Sequence, residues 1–226
     1  MAYPKLIFKE NKTLDLEVAL SFKNIKAGGV NFRETGILAP HPSLKKYKTL
    51  SQTVLKNYIS SYYLEHKEEL SCTCKKTEGE WKNIAPKFFS LTKELFHNSP
   101  WPKGKYICYL SIWNCNPRNL QAKTFQIFYK NKFCRETIIH EMLHFMFYDY
   151  LFKNYKICKE KKYLETIWNI SEVFNVVIQN SPLWRKILKT EEEEAYPAHK
   201  ELVRKMKQKW KTKQDIDYLI KEVLPK

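Results

Sequence analysis

A chain of 226 residues that is 43% hydrophobic and 15% aromatic is long enough for one substantial core and too apolar to be disordered. Its net charge is +16, but the positive residues are 35 Lys and only 5 Arg, scattered along the chain. A solvated Lys-rich surface is therefore expected, and nucleic acid is not an expected partner, because phosphate and base recognition would use more Arg. No uncharged apolar run reaches the length of a membrane span, and the N-terminal MAYPKLIFKENKTLDLEV contains no apolar stretch of signal-peptide type, so a cytoplasmic protein without membrane partners is expected.

Residues 1–50 admit two readings. Leu6-Ile7-Phe8 and Leu14 to Phe22 form either short strands or a strand and a helix, Gly28-Gly29 marks a turn, and Pro40-His41-Pro42 marks a loop that leaves His41 exposed. From Ser51 to Leu70, Val54, Leu55, Tyr58, Ile59, Tyr62 and Leu64 recur at helical spacing, with Ser51 as N-cap and His66 in a solvated polar end. Residues 71–80 read as a polar connector. A second amphipathic helix follows over about Trp81 to His97, with Pro86 near its start and His97 placed to favour the dipole at its end. Tyr106 to Trp113 and Thr124 to Tyr129 read as strands rich in aromatic and β-branched residues.

A helix over about Phe133 to Phe152 then carries His140-Glu141-Met142-Leu143-His144. Histidines four apart stand on one helix face, so both imidazoles can reach one cation. Glu141 lies about 100° around the helix, beside the ligands, where a carboxylate can take a proton from water. Ile138, Ile139, Leu143, Phe145, Met146 and Phe147 surround these polar residues, so the helix is buried, and a cation removes the cost of burying them.

HExxH on a buried helix, preceded by a helix and a short sheet, resembles the zincin metallopeptidases over roughly Trp81 to Asn180. That resemblance implies an α+β, mostly helical fold with a small sheet next to the active-site helix, bound Zn2+, and hydrolysis of a peptide or protein substrate. It also implies that Phe125 to Tyr129 or Tyr106 to Trp113 is the sheet's edge strand over the cleft, where substrate adds as a further strand.

The third ligand selects among branches of this clan. The metzincin-like pattern fails, with Phe147 and Tyr150 where Gly and His or Asp are required. No His stands between His144 and His199, which also weighs against the SprT-like proteases. A Glu on a following helix, the gluzincin arrangement, remains. Tyr163 to Asn180 reads as a strong helix containing Glu165 and Glu172. Glu165 sits at the helix start, where the dipole favours an exposed carboxylate; Glu172 sits mid-helix among Trp168, Val173 and Val176 and needs a partner. Glu172 is therefore preferred, with Asn175 or Asn169 as a supporting group for a metal histidine. Glu165-x-x-x-Asn169 is a competing match, similar to the regulatory proteases that cut phage-type repressors.

After Pro182, a short helix near Trp184 to Leu188 leads to Glu191 to Glu194, an acidic run expected to be a solvated loop or helix start. Two helical stripes follow, Leu202 to Trp210 and Ile216 to Val223, as core packing. The gluzincin resemblance implies a late His or Tyr that donates to a developing oxyanion, and Tyr196 and His199 are the candidates. The whole is read as one domain over 1–226: N-terminal elements over 1–80, a zincin-like core over 81–180 and a helical cap over 181–226. Cys72, Cys74, Cys108, Cys115, Cys134 and Cys158 form no C-x-x-C and are expected as reduced thiols. A zinc-stabilised binding module without activity, and a basic regulatory protein acting on nucleic acid, are the alternatives.

Overall fold

The computed structural model describes residues 3–156 and 160–224. The fold is α+β and mostly helical, with a four-stranded mixed sheet and a two-stranded one. The chain divides into two compact units, one of residues 5–82 and 104–135, the other of residues 1–4, 83–103 and 136–226.

The first unit holds the sheet. It begins with β1 (Leu6–Glu10) and α1 (Lys12–Phe22), the strand-and-helix reading of this stretch. Asn11 caps α1 by accepting the Leu14 N–H at 3.0 Å. β2 (Lys26–Ala27) and β3 (Val30–Asn31) form a hairpin around Gly28 and Gly29, whose φ of 60° and 82° suit glycine. Ser51 caps α2 (Gln52–Glu65) through the Val54 N–H. β4 (Tyr106–Ser111), β5 (Arg118–Asn119) and β6 (Thr124–Phe128) complete the sheet in the order β1-β4-β6-β5. β4 pairs in parallel with both β1 and β6, and Leu6, Phe8, Tyr106, Cys108, Leu110, Phe125 and Ile127 are buried with the period of two that a strand imposes.

This order corrects the edge-strand expectation. β4 is a central strand, and the outer side of β6 is covered by β5, by the Pro117 carbonyl, which accepts the Gln126 N–H, and by the Asn116 side chain, which accepts the Phe128 N–H. Neither strand presents a free row of backbone groups for a substrate strand.

Four further expectations are corrected. His41 is buried at 2% exposure: its Nε2 lies 2.6 Å from the Ile112 carbonyl, its Nδ1 lies 2.7 Å from the Tyr58 hydroxyl, and Tyr58, Tyr62 and Trp113 ring it edge-on. The prolines on either side do not expose it, because its two polar atoms find partners far along the chain. Residues 71–80 are helical, part of α3 (Lys67–Leu95). The stretch looked polar because its exposed faces carry pairs such as Glu78–Lys82 at 2.8 Å, while Leu70, Thr77 and Trp81 supply a sparse buried face. Pro86, expected near a helix start, lies inside α3 on its exposed side. His66 is half-buried, stacked on Tyr62 and bonded to Glu69 at 2.9 Å.

The second unit is helical. It contains most of α4 (Cys134–Asn154), then α5 (Leu164–Gln179), α6 (Pro182–Leu188), α7 (Lys200–Thr212) and α8 (Ile216–Val223). α4 buries Ile138, Ile139, Met142, Leu143, Phe145, Met146, Phe147 and Leu151, and α5 buries Ile167, Ile170, Val173, Phe174, Val177 and Ile178. Phe147 and Phe174 meet at 4.7 Å between ring centroids, so α4 and α5 share an aromatic seam that fixes their facing sides. Met206 and Trp210 of α7 and Ile216, Leu219 and Ile220 of α8 are buried, as their stripes predict. His97 does more than favour a dipole: its Nε2 lies 3.6 Å from Asp215 and 3.5 Å from Asp217.

Among the described residues, no helix is long and apolar enough to cross a membrane. Cys72, Cys74, Cys108, Cys115 and Cys134 are thiols, and Cys158 lies outside the described residues.

Candidate metal centre

α4 and α5 bring three ligand side chains together. His140 Nε2 lies 3.1 Å from Glu172 Oε2, and His144 Nε2 lies 3.5 Å from Glu172 Oε1. One donor atom from each of the three falls within 4.8 Å of the others. Exposure is 8% for His140, 0% for His144 and 4% for both Glu172 and Glu141. His140 and His144 share a face because they are one helical turn apart, and Glu172 reaches them from mid-α5. Glu165, the competing carboxylate, is exposed in the first turn of α5.

The polar residues of α5 serve this cluster in a row. Asn175 Nδ2 donates to the His140 carbonyl at 2.8 Å, so it holds His140 through its backbone rather than its ring. Asn169, the other candidate for that role, instead accepts from His199 Nε2 at 2.7 Å. Gln179 lies 3.4 Å from His140 Nδ1 and donates to the Glu193 carboxylate. Asn169, Glu172, Asn175 and Gln179 recur at spacings of three and four on a largely apolar helix. That periodicity was the signal available for Gln179, which sequence reasoning missed.

The acidic run is a loop with Glu191, Glu192 and Glu194 exposed, as expected, but Glu193 is half-buried and bonded inward. Its Oε1 lies 2.8 Å from His140 Nδ1. The Asn180 side chain grips its backbone from both sides, with Oδ1 accepting the Glu193 N–H at 2.9 Å and Nδ2 donating to the Glu193 carbonyl at 2.8 Å. The Glu191 N–H donates to Glu136 Oε1 at 2.9 Å. The chain turns into this path at Lys189, which takes the left-handed conformation at the end of α6. Nothing in the local sequence separates Glu193 from its three acidic neighbours; only the turn after α6 does.

Charge on the site follows. Burial alone pushes the His140 imidazole down, but the Glu193 and Glu172 carboxylates outweigh it and hold the ring well above the ordinary histidine range. Two carboxylates flank one imidazole, a charge arrangement that a bound cation would complement. Two imidazoles and a carboxylate are also the nitrogen and oxygen set that zinc accepts, and a carboxylate partner on the far nitrogen of a ligand histidine fixes its tautomer. The residues fit a divalent cation.

His199 is 4% exposed, with its ring against Trp168 and Tyr196. Burial lowers its pKa, partly offset by the charge of Glu172. Because Asn169 Oδ1 is an acceptor, Nε2 carries the proton, and buried Nδ1 keeps a lone pair with no hydrogen-bond partner among the described residues. Tyr196 is half-buried, with its ring 5.7 Å from Trp168 and 5.5 Å from His199.

Compared with protein-family models, with curated proteins and with solved structures, the chain matches none of them.

Proposed function

We propose that this protein is a zinc-dependent metallopeptidase of gluzincin-like type, with His140, His144 and Glu172 as metal ligands and Glu141 as general base. The observation that carries the reading is the convergence of those three side chains, all buried, from two helices that the sequence assigned to the same task on separate grounds. Bound zinc supplies a Lewis acid that acidifies water towards a pKa of about 7 and polarises a scissile carbonyl. Glu141 takes one proton of the attacking water on its carboxylate and returns it to the amide nitrogen as the C–N bond breaks, so that one product leaves with a new carboxyl group and the other with a new amine. Glu193 keeps the His140 proton on Nδ1 and leaves Nε2 facing Glu172. Tyr196 is the better of the two oxyanion-donor candidates, since its O–H carries a proton and the His199 Nδ1 does not in the tautomer that Asn169 selects. The substrate is a peptide or protein.

A second reading is favoured by the depth of the site. With His140, Glu141, His144 and Glu172 each at 8% exposure or less, a closed structural zinc with Glu141 as fourth ligand is the competing arrangement. Glu141→Gln separates the two. The peptidase reading expects the variant to hold zinc as tightly as wild type and to lose cleavage of a quenched-fluorescence peptide library. A variant that loses zinc supports the structural reading, and one that keeps cleavage removes Glu141 from the mechanism.

A further inference from the structure

We infer that residues 190–196 form a clasp whose closure is coupled to metal loading, with Glu193 as the positioning residue that makes the coupling; this rests on the metal reading above and names a control of that site. The segment has no regular structure, yet it is fastened at three places within one compact unit. Glu191 is fixed to Glu136 in the first turn of α4. Glu193 is fixed by its backbone to Asn180 at the end of α5, and by its carboxylate to His140 on α4 and Gln179 on α5.

The consequence is geometric. Glu193 Oε1 lies 2.8 Å from His140 Nδ1 and Glu172 Oε2 lies 3.1 Å from Nε2, so the segment holds the ring in the orientation that aims Nε2 at Glu172 and His144. A cation on the three side chains would need that same orientation. By linkage, whatever closes the segment raises metal affinity, and the metal in turn holds the segment closed. Backbone fastening by Asn180 sets this apart from a lone carboxylate partner, because it makes the path of the segment part of the metal site.

The test is zinc affinity by competition with a chromophoric chelator, together with amide hydrogen exchange over residues 189–196 with and without zinc. It uses the full chain and the variants Glu193→Ala, Glu193→Gln, Asn180→Ala and Glu192→Gln. In wild type, zinc should slow exchange at residues 191–194. Glu193→Ala should weaken zinc by about 10- to 100-fold, the cost of losing an outer partner of a ligand histidine, and should abolish the protection. Glu193→Gln, whose side-chain carbonyl still accepts from Nδ1, should recover part of the affinity. Asn180→Ala, which leaves every side chain on His140 in place, should still weaken zinc, which a purely local carboxylate effect would not do. Glu192→Gln, at the exposed pair with Lys207, should behave as wild type.

Zinc affinity unchanged in both Glu193→Ala and Asn180→Ala, with wild type binding normally, overturns the clasp and leaves the metal reading standing. Zinc-free wild type that takes up no added metal overturns both. If Glu193→Ala does not fold, Asn180→Ala and the exchange data on wild type decide alone.

Discussion

His140 is held between two carboxylates, with Glu172 3.1 Å from Nε2 and Glu193 2.8 Å from Nδ1. The first bond marks the side of the ring that would face a cation; the second fixes which nitrogen faces it. Both partners reach α4 from chain that follows it, so the HExxH helix is completed only when α5 and the segment after α6 have docked.

The assignment of Glu172 rather than Glu165 is open to direct comparison. Glu172→Gln should weaken zinc by more than the roughly 10- to 100-fold that an outer partner costs, because it removes a ligand atom. Glu165→Gln changes an exposed carboxylate in the first turn of α5 and should leave affinity unchanged. Equal losses in the two variants, read by chelator competition, would dissolve the distinction.

Asp15 and His41 meet on the backbone of one residue. Asp15 accepts the Ile112 N–H at 3.3 Å, and His41 Nε2 donates to the Ile112 carbonyl at 2.6 Å. Burial raises Asp15 to about 6, against hydrogen bonds from Ser111 and Tyr63 that act the other way, and burial lowers His41 to about 4. The signs are opposite. Asp15 is raised above its unfolded value, so its contribution is full below about pH 4 and lost as pH rises to about 6. His41 is lowered, so its contribution is full above about pH 6.5 and lost as pH falls to about 4. Each is on the order of 3 kcal/mol at full extent, and in wild type the two largely cancel between pH 4 and 6. Asp15→Asn removes one side of the balance. Its stability to denaturant, relative to wild type, should climb with pH across that window; a flat difference would mean that Asp15 is not raised.

Removing His41 tests its burial in another way. His41→Ala leaves the buried Ile112 carbonyl without its partner, at a cost of about 1–3 kcal/mol for that group, before the cavity is counted; the Tyr58 hydroxyl, half-buried and also bonded to Ser43, adds less. An exposed loop histidine would cost within about 0.5 kcal/mol, and urea unfolding separates the two outcomes.

Pro86 offers a gain. It stands on the exposed side of α3 with no N–H to give the ladder. Pro86→Ala restores a donor in a helix interior and should raise thermal stability, by up to about 3 kcal/mol and by less if the helix bends to fit. A lower melting temperature would show that the bend itself is needed for packing.

The convergence of His140, His144 and Glu172 was legible because their chemistry is local. His140 and His144 declare themselves by spacing, and Glu172 by a carboxylate in the middle of an apolar helix. The main helices and strands followed from their apolar periodicities, the α+β class from the family resemblance, and Ser51 from its capping chemistry. What escaped was set by distant chain. Glu193 looks like its acidic neighbours until Lys189 turns the backbone and Asn180 grips it. His41 looks exposed between prolines until Ile112 and Tyr58 arrive from 71 and 17 residues away. Residues 71–80 hid a helix because exposed ion pairs mask its sparse buried stripe, and the edge strand was misplaced because period-two alternation does not reveal a strand's neighbours.

The most direct test of the central claim is metal content by plasma mass spectrometry, on wild type and Glu172→Ala purified in parallel without chelator or histidine tag. About one zinc per chain in wild type, lost or much reduced in the variant, is the outcome expected of a site with these three ligands. Wild type that carries no metal and takes up no added zinc would contradict it, and the His140–Glu172–Glu193 cluster would then be a buried ion-pair network and nothing more.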